Sequence, residues 1–153
     1  MCNAKKTETI MILRKVTFED WKILLDWRND IETRKNSHNM ELVVEENHKK
    51  WLNSILTNEN RQLFIALENE IPVGTVRADF DKQNIEYELS WTISPDFRGK
   101  GIGKIMVKIL ADRLQAKIRA EIKKGNIASV RIAEYAGMTF KKEENQVLHY
   151  SNY

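Results

Sequence analysis

The hydrophobic positions of this chain repeat with two periods, and the change from one period to the other marks where a strand gives way to a helix. Between residues 84 and 94 apolar and polar side chains alternate, the apolar ones being Ile85, Tyr87, Leu89, Trp91 and Ile93. This period of two, rich in β-branched and aromatic residues, predicts a strand. Between residues 102 and 114 the apolar side chains recur at steps of three and four, which predicts a helix.

The same patterns divide the rest of the chain into short elements. Further strands are predicted at residues 11–16, 63–67, 71–80, 118–122, 139–141 and 146–150. Helices are predicted after a capping box at Thr17-x-x-Asp20, from Glu45 onward, and between Asn126 and Gly137. The polar, unpatterned residues 32–40 predict a loop. We therefore expect an α/β fold with an α+β mixed sheet, residues 10–153 forming one domain and residues 1–9 a flexible tail.

Composition excludes several classes of function. With 42% hydrophobic and 31% charged residues and no long apolar run, the chain has the make-up of a cytoplasmic protein without a membrane partner. A formal net charge of +3 is too small to predict binding to nucleic acid. One cysteine and three scattered histidines give neither a disulfide framework nor a zinc spacing, so no metal is predicted.

A glycine-rich, basic segment connects the strand predicted at residues 84–94 to the helix that follows it. The segment is Arg98-Gly99-Lys100-Gly101-Ile102-Gly103-Lys104. Five consecutive residues of it, 99–103, contain three of the six glycines of the chain. Glycine lets the backbone take positive φ and approach a ligand closely. The first turn of the helix adds unpaired N–H groups and the positive end of the helix dipole. The segment therefore predicts an anion site that suits phosphates.

The spacing of these residues excludes two common phosphate-binding motifs and matches a third. A Walker A loop needs Ser or Thr directly after its lysine, and Lys104 has Ile105 there. A Rossmann fingerprint needs its third glycine one residue later than Gly103. The pattern that fits, R-x-x-G-x-G, resembles the acyl-CoA pyrophosphate loop of the GNAT superfamily of N-acyltransferases. The resemblance spans residues 11–150 and includes residues 88–95 and the pattern Asn126-x-x-Ser129-x-x-Ile132-x-x-x-x-Gly137-Met138.

This resemblance implies a fold, a cofactor and a set of binding residues. The family fold is a mixed sheet whose two central strands splay apart, with acetyl-CoA, released as CoA, lying between them. The resemblance implies that backbone amides near Ile93 hold the pantetheine arm and polarise the thioester carbonyl. The other cofactor contacts that it implies are Arg98, Gly99, Lys100, Gly101, Ile102, Gly103, Lys104, Asn126 and Ser129.

Transfer of an acyl group to an amine needs a group that removes a proton from the amine, and a carboxylate on the central strand can do this. Glu88 is the candidate catalytic base, and Glu86, on the same polar face, is second. Either carboxylate can instead be a solvated residue or the partner of a nearby Lys or Arg. For Glu86, near the strand end, we favour that structural interpretation.

One position departs from the family pattern. Many members carry a tyrosine seven residues after the asparagine, where it is proposed to protonate the leaving thiolate, but this chain has Ala133. Tyr135 lies two residues further on, about 200° around the helix, and cannot simply replace it. Three alternatives stay open: protonation by water, protonation by another hydroxyl, and a catalytically weak protein. A thiolate is a tolerable leaving group, since the pKa of a thiol is about 8.5.

Residues on the first two predicted helices bear on the acceptor. Arg28 extends the apolar stripe of the first helix, where its guanidinium meets either the negative end of the helix dipole or an anionic acceptor. His48 lies within the apolar face of the second helix, as core histidines do, with substrate contact as the alternative. The segment Trp27-Arg28-Asn29-Asp30, followed by Glu46-x-His48-x-x-Trp51, resembles the GNAT subgroup that acetylates nucleotide-linked amino sugars in pseudaminic-acid-type pathways. This resemblance implies that Arg28, Asn29 and His48 contact the substrate.

We therefore expect an N-acetyltransferase that acts in a ternary complex on a small-molecule primary amine, with a nucleotide-linked sugar favoured. Two other functions stay open. The segment Trp27-Arg28-Asn29-Asp30 also resembles the subgroup that acetylates the N-termini of ribosomal proteins. Ala133 admits a non-catalytic acyl-CoA-binding module. The sequence leaves the oligomeric state open, with a homodimer as one alternative.

Overall fold

A mixed sheet organises residues 10–153, the part of the chain that this computed structural model describes. Its strands are β1 (Met11–Lys15), β2 (Arg61–Glu68), β3 (Ile71–Asp81), β4 (Glu86–Ile93), β5 (Ile118–Lys123), β6 (Thr139–Glu144) and β7 (Val147–Ser151). The helices packed around it are α1 (Trp21–Asn29), α2 (Ile31–Lys35), α3 (Glu45–Leu56), α4 (Ile102–Leu114) and α5 (Ile127–Tyr135). The tail predicted at residues 1–9 lies outside the described residues, and the domain boundary at residue 10 stays a prediction.

The strand order is β1-β2-β3-β4-β5-β7-β6, and every pair of neighbours is antiparallel except β4 and β5. A parallel pair needs a crossover connection, which α4 supplies between these two strands. This confirms the predicted α/β class with a mixed sheet. Among residues 10–153, no helix has the length and the apolar character needed to span a bilayer.

Helices cover both faces of the sheet, so that successive side chains of β2 enter two different cores. Phe64 and Ala66 belong to a core completed by α4 and α5, while Leu63 and Ile65 belong to a second core with α1 and α3. A strand that is buried on both faces is apolar throughout rather than alternating. The two cores hold α4 and α5 on one face of the sheet and α1 and α3 on the other.

The segment predicted as a loop at residues 32–40 begins inside a short helix. Helix α2 starts after Asp30, whose carboxylate accepts a hydrogen bond from the Thr33 amide at 3.1 Å. Arg34 Nε then donates to the carbonyl of Met40 at 3.0 Å, which ties the chain after the helix back to it. With five residues, α2 is too short to carry an apolar stripe, so hydrophobic periodicity could not predict it.

The start of β4 differs from the predicted alternation. Ile85, expected on the apolar face, is 71% exposed and takes φ +55° in the turn before the strand. Glu86, expected on a polar face, is only 5% exposed because Arg119 and Tyr153 cover it. Alternation predicts which side chains share a face of a strand, but it does not predict which segment covers that face.

Strands β4 and β5 pair over two residues and then separate. Their register contains Tyr87 opposite Ile118 and Glu88 opposite Arg119, and both strands continue beyond it. Over the rest of their lengths β4 stays paired with β3, and β5 with β7. The sheet therefore opens into a V whose vertex lies at Glu88 and Arg119.

Candidate active site

The V between β4 and β5 opens into a cleft of about 1080 Å³. Its walls come from β4, the loop before α4, and α5, and from α1, α2 and α3 at its other end. The predicted site residues that border this single cleft are Arg28, His48, Glu88, Ile93, Arg98, Gly99, Gly101, Ile102, Gly103, Lys104, Asn126 and Ser129. The fold thus brings the glycine-rich segment, the candidate base and two candidate acceptor residues to one place.

The gap-facing edge of β4 presents backbone donors to the cleft. The Ser94 amide points toward β3, where it donates to the carbonyl of Val73 at 2.9 Å. The Tyr87 amide points the other way and donates to the carbonyl of Lys117 at 2.9 Å. Because N–H directions alternate along a strand, the amides of Trp91 and Ile93 point toward β5 as well. Beyond the vertex β5 no longer pairs with them, and this is the geometry that the prediction for Ile93 requires.

The glycine loop has the backbone conformation of an anion cradle. Gly99 and Gly101 both have φ +74°, and a Cβ at either position would meet no atom within 4 Å. Helix α4 begins directly after them, and its first backbone bond runs from the Ile105 amide to the Gly101 carbonyl at 3.4 Å. The amides of Ile102, Gly103 and Lys104 therefore have no partner within the helix and are available to an anion.

Gly103 has a role in packing that the motif does not indicate. A Cβ added there would lie 2.4 Å from Ile132 Cδ1 and 2.9 Å from Ile93 Cδ1. The absence of a side chain therefore lets α4 approach α5 and β4 closely. The prediction that Gly103 contacts the cofactor stays a prediction, and the protein interior is a second reason for its missing Cβ.

The side chain of Arg98 connects the glycine loop to α2. Its Nη2 donates to Asp30 Oδ2 and, at 3.1 Å, to Thr33 Oγ1. Burial acts to raise the pKa of Asp30, but the hydrogen bonds from Arg98 and from the Thr33 amide outweigh it and lower that pKa. Arg98 can therefore offer its backbone to a ligand while its side chain is used within the protein.

The two lysines of the loop contact aromatic rings. Lys100 Nζ lies 5.2 Å from the ring centroid of Phe97, and Lys100 does not border the cleft. Lys104 Nζ lies 6.0 Å from the ring centroid of Tyr135, and Lys104 does border it. Of the two predicted lysine contacts, the structure places only Lys104 beside the candidate site.

Asn126 and Ser129 are connected to each other at the start of α5. Asn126 Oδ1 accepts a hydrogen bond from the Ser129 amide at 3.2 Å and so caps the helix. Ser129 Oγ accepts a hydrogen bond from Trp91 Nε1 at 3.2 Å. Capping leaves the Asn126 Nδ2 group for a ligand, and the indole bond leaves the Ser129 hydroxyl proton free to donate.

Glu88 and Glu86 have different surroundings although both contact Arg119. Glu88 borders the cleft, is 35% exposed at its side chain, and forms an ion pair through Oε2 with Arg119 Nη2 at 3.0 Å. Glu86 is buried, pairs through Oε1 with Arg119 Nε at 3.1 Å, and accepts a hydrogen bond from the Tyr153 hydroxyl. That bond, with burial second, raises the pKa of Tyr153. Of the two carboxylates, only Glu88 is in a position to meet a substrate.

The position where the family pattern has a tyrosine carries no functional group here. Ala133 is 0% exposed and belongs to the core under α5. Tyr135 is exposed and does not border the cleft. Among the described residues, the hydroxyl of Ser129 is therefore a nearer donor to the cleft than any tyrosine of α5.

Arg28 borders the cleft, and its guanidinium is only partly used within the protein. Its Nη2 donates to the carbonyl of Asn39 at 2.8 Å, which holds the segment after α2. Its Nη1 is buried and makes no hydrogen bond to any described residue. Burial, with the nearby charge of Arg34 second, lowers the pKa of Arg28. The Nη2 group of Arg28 therefore stabilises the segment after α2, while its Nη1 group is not used within the described part of the protein.

Both polar atoms of the neighbouring Asn29 side chain form hydrogen bonds within the protein. Its Nδ2 donates to the carbonyl of Val43 and its Oδ1 accepts from the amide of Val43, both at 2.8 Å. It does not border the cleft. The prediction that Asn29 contacts substrate is corrected accordingly: it fixes the segment that leads into α3.

His48 is a core residue with one edge on the cleft. It is 3% exposed, and its Nε2 lies 2.9 Å from the carbonyl of Trp21, so that Nε2 carries the proton and donates. Its ring stacks on Trp51 with centroids 5.5 Å apart. Burial lowers the pKa of His48, against the opposing effect of the Trp21 carbonyl. A neutral His48 can therefore offer only Nδ1, an acceptor, to a ligand.

Several charged residues of the site did not stand out in the sequence, among them Arg77, Lys123 and Arg131, which border the cleft. Glu32 and Glu121 border the cleft too, and Arg119, which does not border it, contacts Glu88. Alternation along β5 placed Arg119 and Glu121 on one polar face. Nothing in the sequence indicated that this face meets Glu88, because the pairing of β4 with β5 is a long-range contact.

Comparison with known proteins places this site in a family. The sequence matches the family model described as an acetyltransferase (GNAT) domain over residues 11–139. No match was found among the curated proteins. A solved domain from Methanocaldococcus jannaschii is 26% identical, with a TM-score of 0.82 over 94% of this chain and 98% of that one.

Two solved enzymes share the fold at lower identity. Spermidine N-acetyltransferase from Vibrio cholerae, solved with CoA and spermine, is 14% identical, with a TM-score of 0.81 over 92% of this chain and 94% of that one. Aminoglycoside acetyltransferase AAC(6')-Ib, solved with coenzyme A, is 19% identical, with a TM-score of 0.78 over 93% of each chain. Neither supports the amino-sugar subgroup that the sequence suggested.

The family model covers most of the chain, and the features that the family fold requires are present: a splayed β4–β5 pair and a glycine loop that leads into a helix. The predicted fold, cofactor and enzyme class are confirmed. The chain belongs to the GNAT family of acetyltransferases and is an acetyl-CoA-dependent N-acetyltransferase.

Proposed function

We propose that this protein transfers the acetyl group of acetyl-CoA to the amine of a nucleotide-linked amino sugar. The observation that carries the acceptor class is the buried Nη1 of Arg28, which has no hydrogen-bond partner among residues 10–153. A buried N–H donor without a partner costs free energy that an anionic ligand can recover. The diphosphate of a nucleotide sugar supplies two oxygens in the geometry that a guanidinium fork binds.

The residues at the other end of the cleft fit acetyl-CoA, which when bound supplies the acetyl thioester. The free amides of Ile102, Gly103 and Lys104 suit a pyrophosphate, and the open Cβ positions of Gly99 and Gly101 leave room for it. The gap-facing amides of Trp91 and Ile93 suit the pantetheine arm and the thioester carbonyl. These residues bind and orient the donor; they do not need to react.

Glu88 performs the proton transfer in this proposal. Its carboxylate borders the cleft at the vertex of the V, with Oε2 held by Arg119. An amine must be neutral to attack, so a carboxylate that accepts its proton, directly or through one water, accelerates the reaction. Glu88 would thus act as the general base of direct attack in a ternary complex.

The leaving thiolate has one protein donor nearby and no strict need of it. Ser129 keeps its hydroxyl proton free because Trp91 supplies the hydrogen bond that its oxygen accepts. With a thiol pKa of about 8.5, a thiolate can also take a proton from water. Ala133 is therefore compatible with turnover, and we expect Ser129 to stabilise the thiolate by hydrogen bonding.

A second acceptor class is favoured by a different observation. Three carboxylates border the cleft, namely Glu32, Glu88 and Glu121, although cationic side chains border it as well. Carboxylates in this number suit a cationic acceptor such as a polyamine or an aminoglycoside. The spermidine and aminoglycoside acetyltransferases that share the fold act, by their names, on acceptors of this kind.

The test is a screen of the purified protein with acetyl-CoA, reading the release of free thiol. The panel contains a nucleotide-linked amino sugar, the same sugar without its nucleotide, spermidine, kanamycin and a ribosomal N-terminal peptide. A charge-assisted bond to the diphosphate of about 1.5–3 kcal/mol predicts roughly a ten- to hundredfold preference for the nucleotide-linked sugar over the free sugar.

A different preference in this screen would indicate a different function. Preference for spermidine or kanamycin would assign the cleft to cationic acceptors, and preference for the peptide would assign it to protein N-termini. Thermal stabilisation by CoA without turnover of any amine would identify a non-catalytic acyl-CoA-binding module, because a ligand that binds only the folded state raises its stability.

A further inference from the structure

The carboxylate assigned to proton transfer is held from the opposite side of the gap. Glu88 on β4 and Arg119 on β5 are the last paired residues before the strands separate, and their side chains meet at 3.0 Å. Arg119 itself does not border the cleft. We propose that Arg119 is a positioning residue for Glu88. Its other contact beside the cleft, from Nη1 to Glu121 Oε1, is longer at 3.7 Å. This inference rests on the proposed role of Glu88 as base.

A row of charges across four strands defines the surroundings of Glu88. Arg61 on β2 is opposite Asp79 on β3, Asp79 is opposite Glu88 on β4, and Glu88 is opposite Arg119 on β5. Two carboxylates are therefore direct cross-strand neighbours, an arrangement that is unfavourable by itself. Each is matched by an arginine on its outer side, at 3.0 Å for both pairs. Without Arg119, Glu88 would keep no ion pair with any described residue.

Arg119 is in turn fixed by a buried anchor. Its Nε pairs with Glu86 Oε1 at 3.1 Å, and the Tyr153 hydroxyl donates to the other oxygen of Glu86. A guanidinium is planar and rigid, so a contact at Nε also sets the direction of Nη2. The chain of contacts from Tyr153 through Glu86 and Arg119 therefore determines where Glu88 Oε2 lies.

The consequence for Glu88 is that one oxygen is held and the other is left for the substrate. Oε2 contacts Arg119, whereas Oε1 makes no hydrogen bond to any residue in the described part of the chain. A carboxylate that is fixed at one oxygen presents the other in a narrow range of directions. Misplacement of a catalytic group by about 1 Å can cost on the order of a hundredfold in rate.

The experiment is a double-mutant cycle on kcat and KM with the best acceptor from the screen. We expect Arg119→Gln to lower kcat by roughly ten- to hundredfold with an unchanged KM for acetyl-CoA. The variant that combines Glu88→Gln with Arg119→Gln should be no slower than Glu88→Gln alone, because residues that act as a unit are non-additive. Arg119→Lys should recover part of the loss, since it keeps the charge without the fork.

Arg61→Gln is the matched control, because it removes the arginine at the other end of the same row while Asp79 keeps Arg77 at 3.0 Å. It should leave kcat unchanged. If Arg119→Gln does not fold, as judged by circular dichroism, Tyr153→Phe loosens the same anchor and should lower kcat about two- to tenfold.

Three results would overturn the inference. An unchanged kcat in Arg119→Gln, or a loss that multiplies fully with that of Glu88→Gln, would show that Arg119 does not act through Glu88. Wild-type kcat in Glu88→Gln would instead overturn the base assignment, and the positioning role with it. The cycle therefore separates the failure of the two proposals.

Discussion

Glu88 is a carboxylate with one oxygen in an ion pair and the other at the edge of a cleft. Its neighbour on the same face, Glu86, has both oxygens used inside the protein. Two glutamates separated by one residue thus differ in chemistry because of what later strands place beside them. Glu88, and not Glu86, is therefore the carboxylate whose loss should slow the reaction.

Glu88→Gln should lower kcat by about 10²–10⁴-fold, because the amide cannot accept the proton of the amine. The KM for acetyl-CoA should stay the same, since the predicted cofactor contacts are elsewhere in the cleft. Steady-state kinetics at saturating acetyl-CoA measure this, with Glu59→Gln, an exposed glutamate away from the cleft, as the control. A loss below threefold would mean that the amine arrives neutral and that Glu88 is structural.

Arg28→Lys should raise the KM for the acceptor by roughly ten- to hundredfold, because lysine cannot form the planar fork that a diphosphate needs. The KM for acetyl-CoA should not change. Arg34→Lys is the matched control, because Arg34 braces the same segment through the Met40 carbonyl. If Arg28→Lys lowers only the melting temperature, as the control does, Arg28 is a brace and the nucleotide-sugar proposal loses its main support.

At the scale of elements, two glycines at the start of α4 are required for different physical reasons. Gly101 is required by its backbone, which has φ +74° in open space, whereas Gly103 is required by the lack of room against Ile132 and Ile93. A left-handed conformation costs an L-residue about 1–2 kcal/mol, but it does not disturb packing. Replacing either glycine should therefore produce a different defect.

Gly103→Ala should lower the melting temperature more than Gly101→Ala, because its Cβ would lie 2.4 Å from Ile132 Cδ1 and the α4–α5 contact must shift. Gly101→Ala should mainly weaken CoA binding, because the loop would leave its left-handed geometry. Differential scanning fluorimetry and calorimetric titration with CoA measure the two effects. Equal losses of stability with intact CoA affinity in both variants would contradict the assignment of the loop to the pyrophosphate.

The elements that the sequence predicted well are those with a strong hydrophobic period. The helix predicted from residue 102 corresponds to α4, and the strands around it were placed within a few residues. Helix α2 was missed because its cap at Asp30 and the bond from Arg34 stabilise it in place of an apolar face. The motif indicated the cofactor end of the site, because a loop is local in sequence. Arg119 could not be predicted, because its partners come from distant strands.

For the whole molecule, the second core on the side of α1 and α3 makes stability depend on pH. His48 belongs to this region, and burial lowers its pKa below the ordinary value of about 6.5 that it has in the unfolded chain. As the pH falls below about 6.5, the unfolded chain takes up a proton that the folded chain does not. The free energy of unfolding should therefore decrease as the pH falls. Above neutrality His48 is uncharged in both states, so it does not make the free energy of unfolding depend on pH.

His48→Gln should remove this part of the acid sensitivity, because glutamine does not titrate. Melting temperatures measured between about pH 5 and pH 8 test it, with His38→Gln, an exposed histidine, as the control. An acid slope that persists unchanged in His48→Gln would assign the effect to another group.

The bridge between Arg98 and Asp30 joins the loop assigned to the cofactor to the helix that borders the acceptor end. If a ligand at either end favours the bridged arrangement, binding at one end and binding at the other share a coupling free energy. Such a coupling is reciprocal, so acetyl-CoA strengthens acceptor binding by the same factor by which the acceptor strengthens acetyl-CoA binding. The enzyme would then hold its two substrates as an interdependent pair, and the departure of one product would loosen the hold on the other.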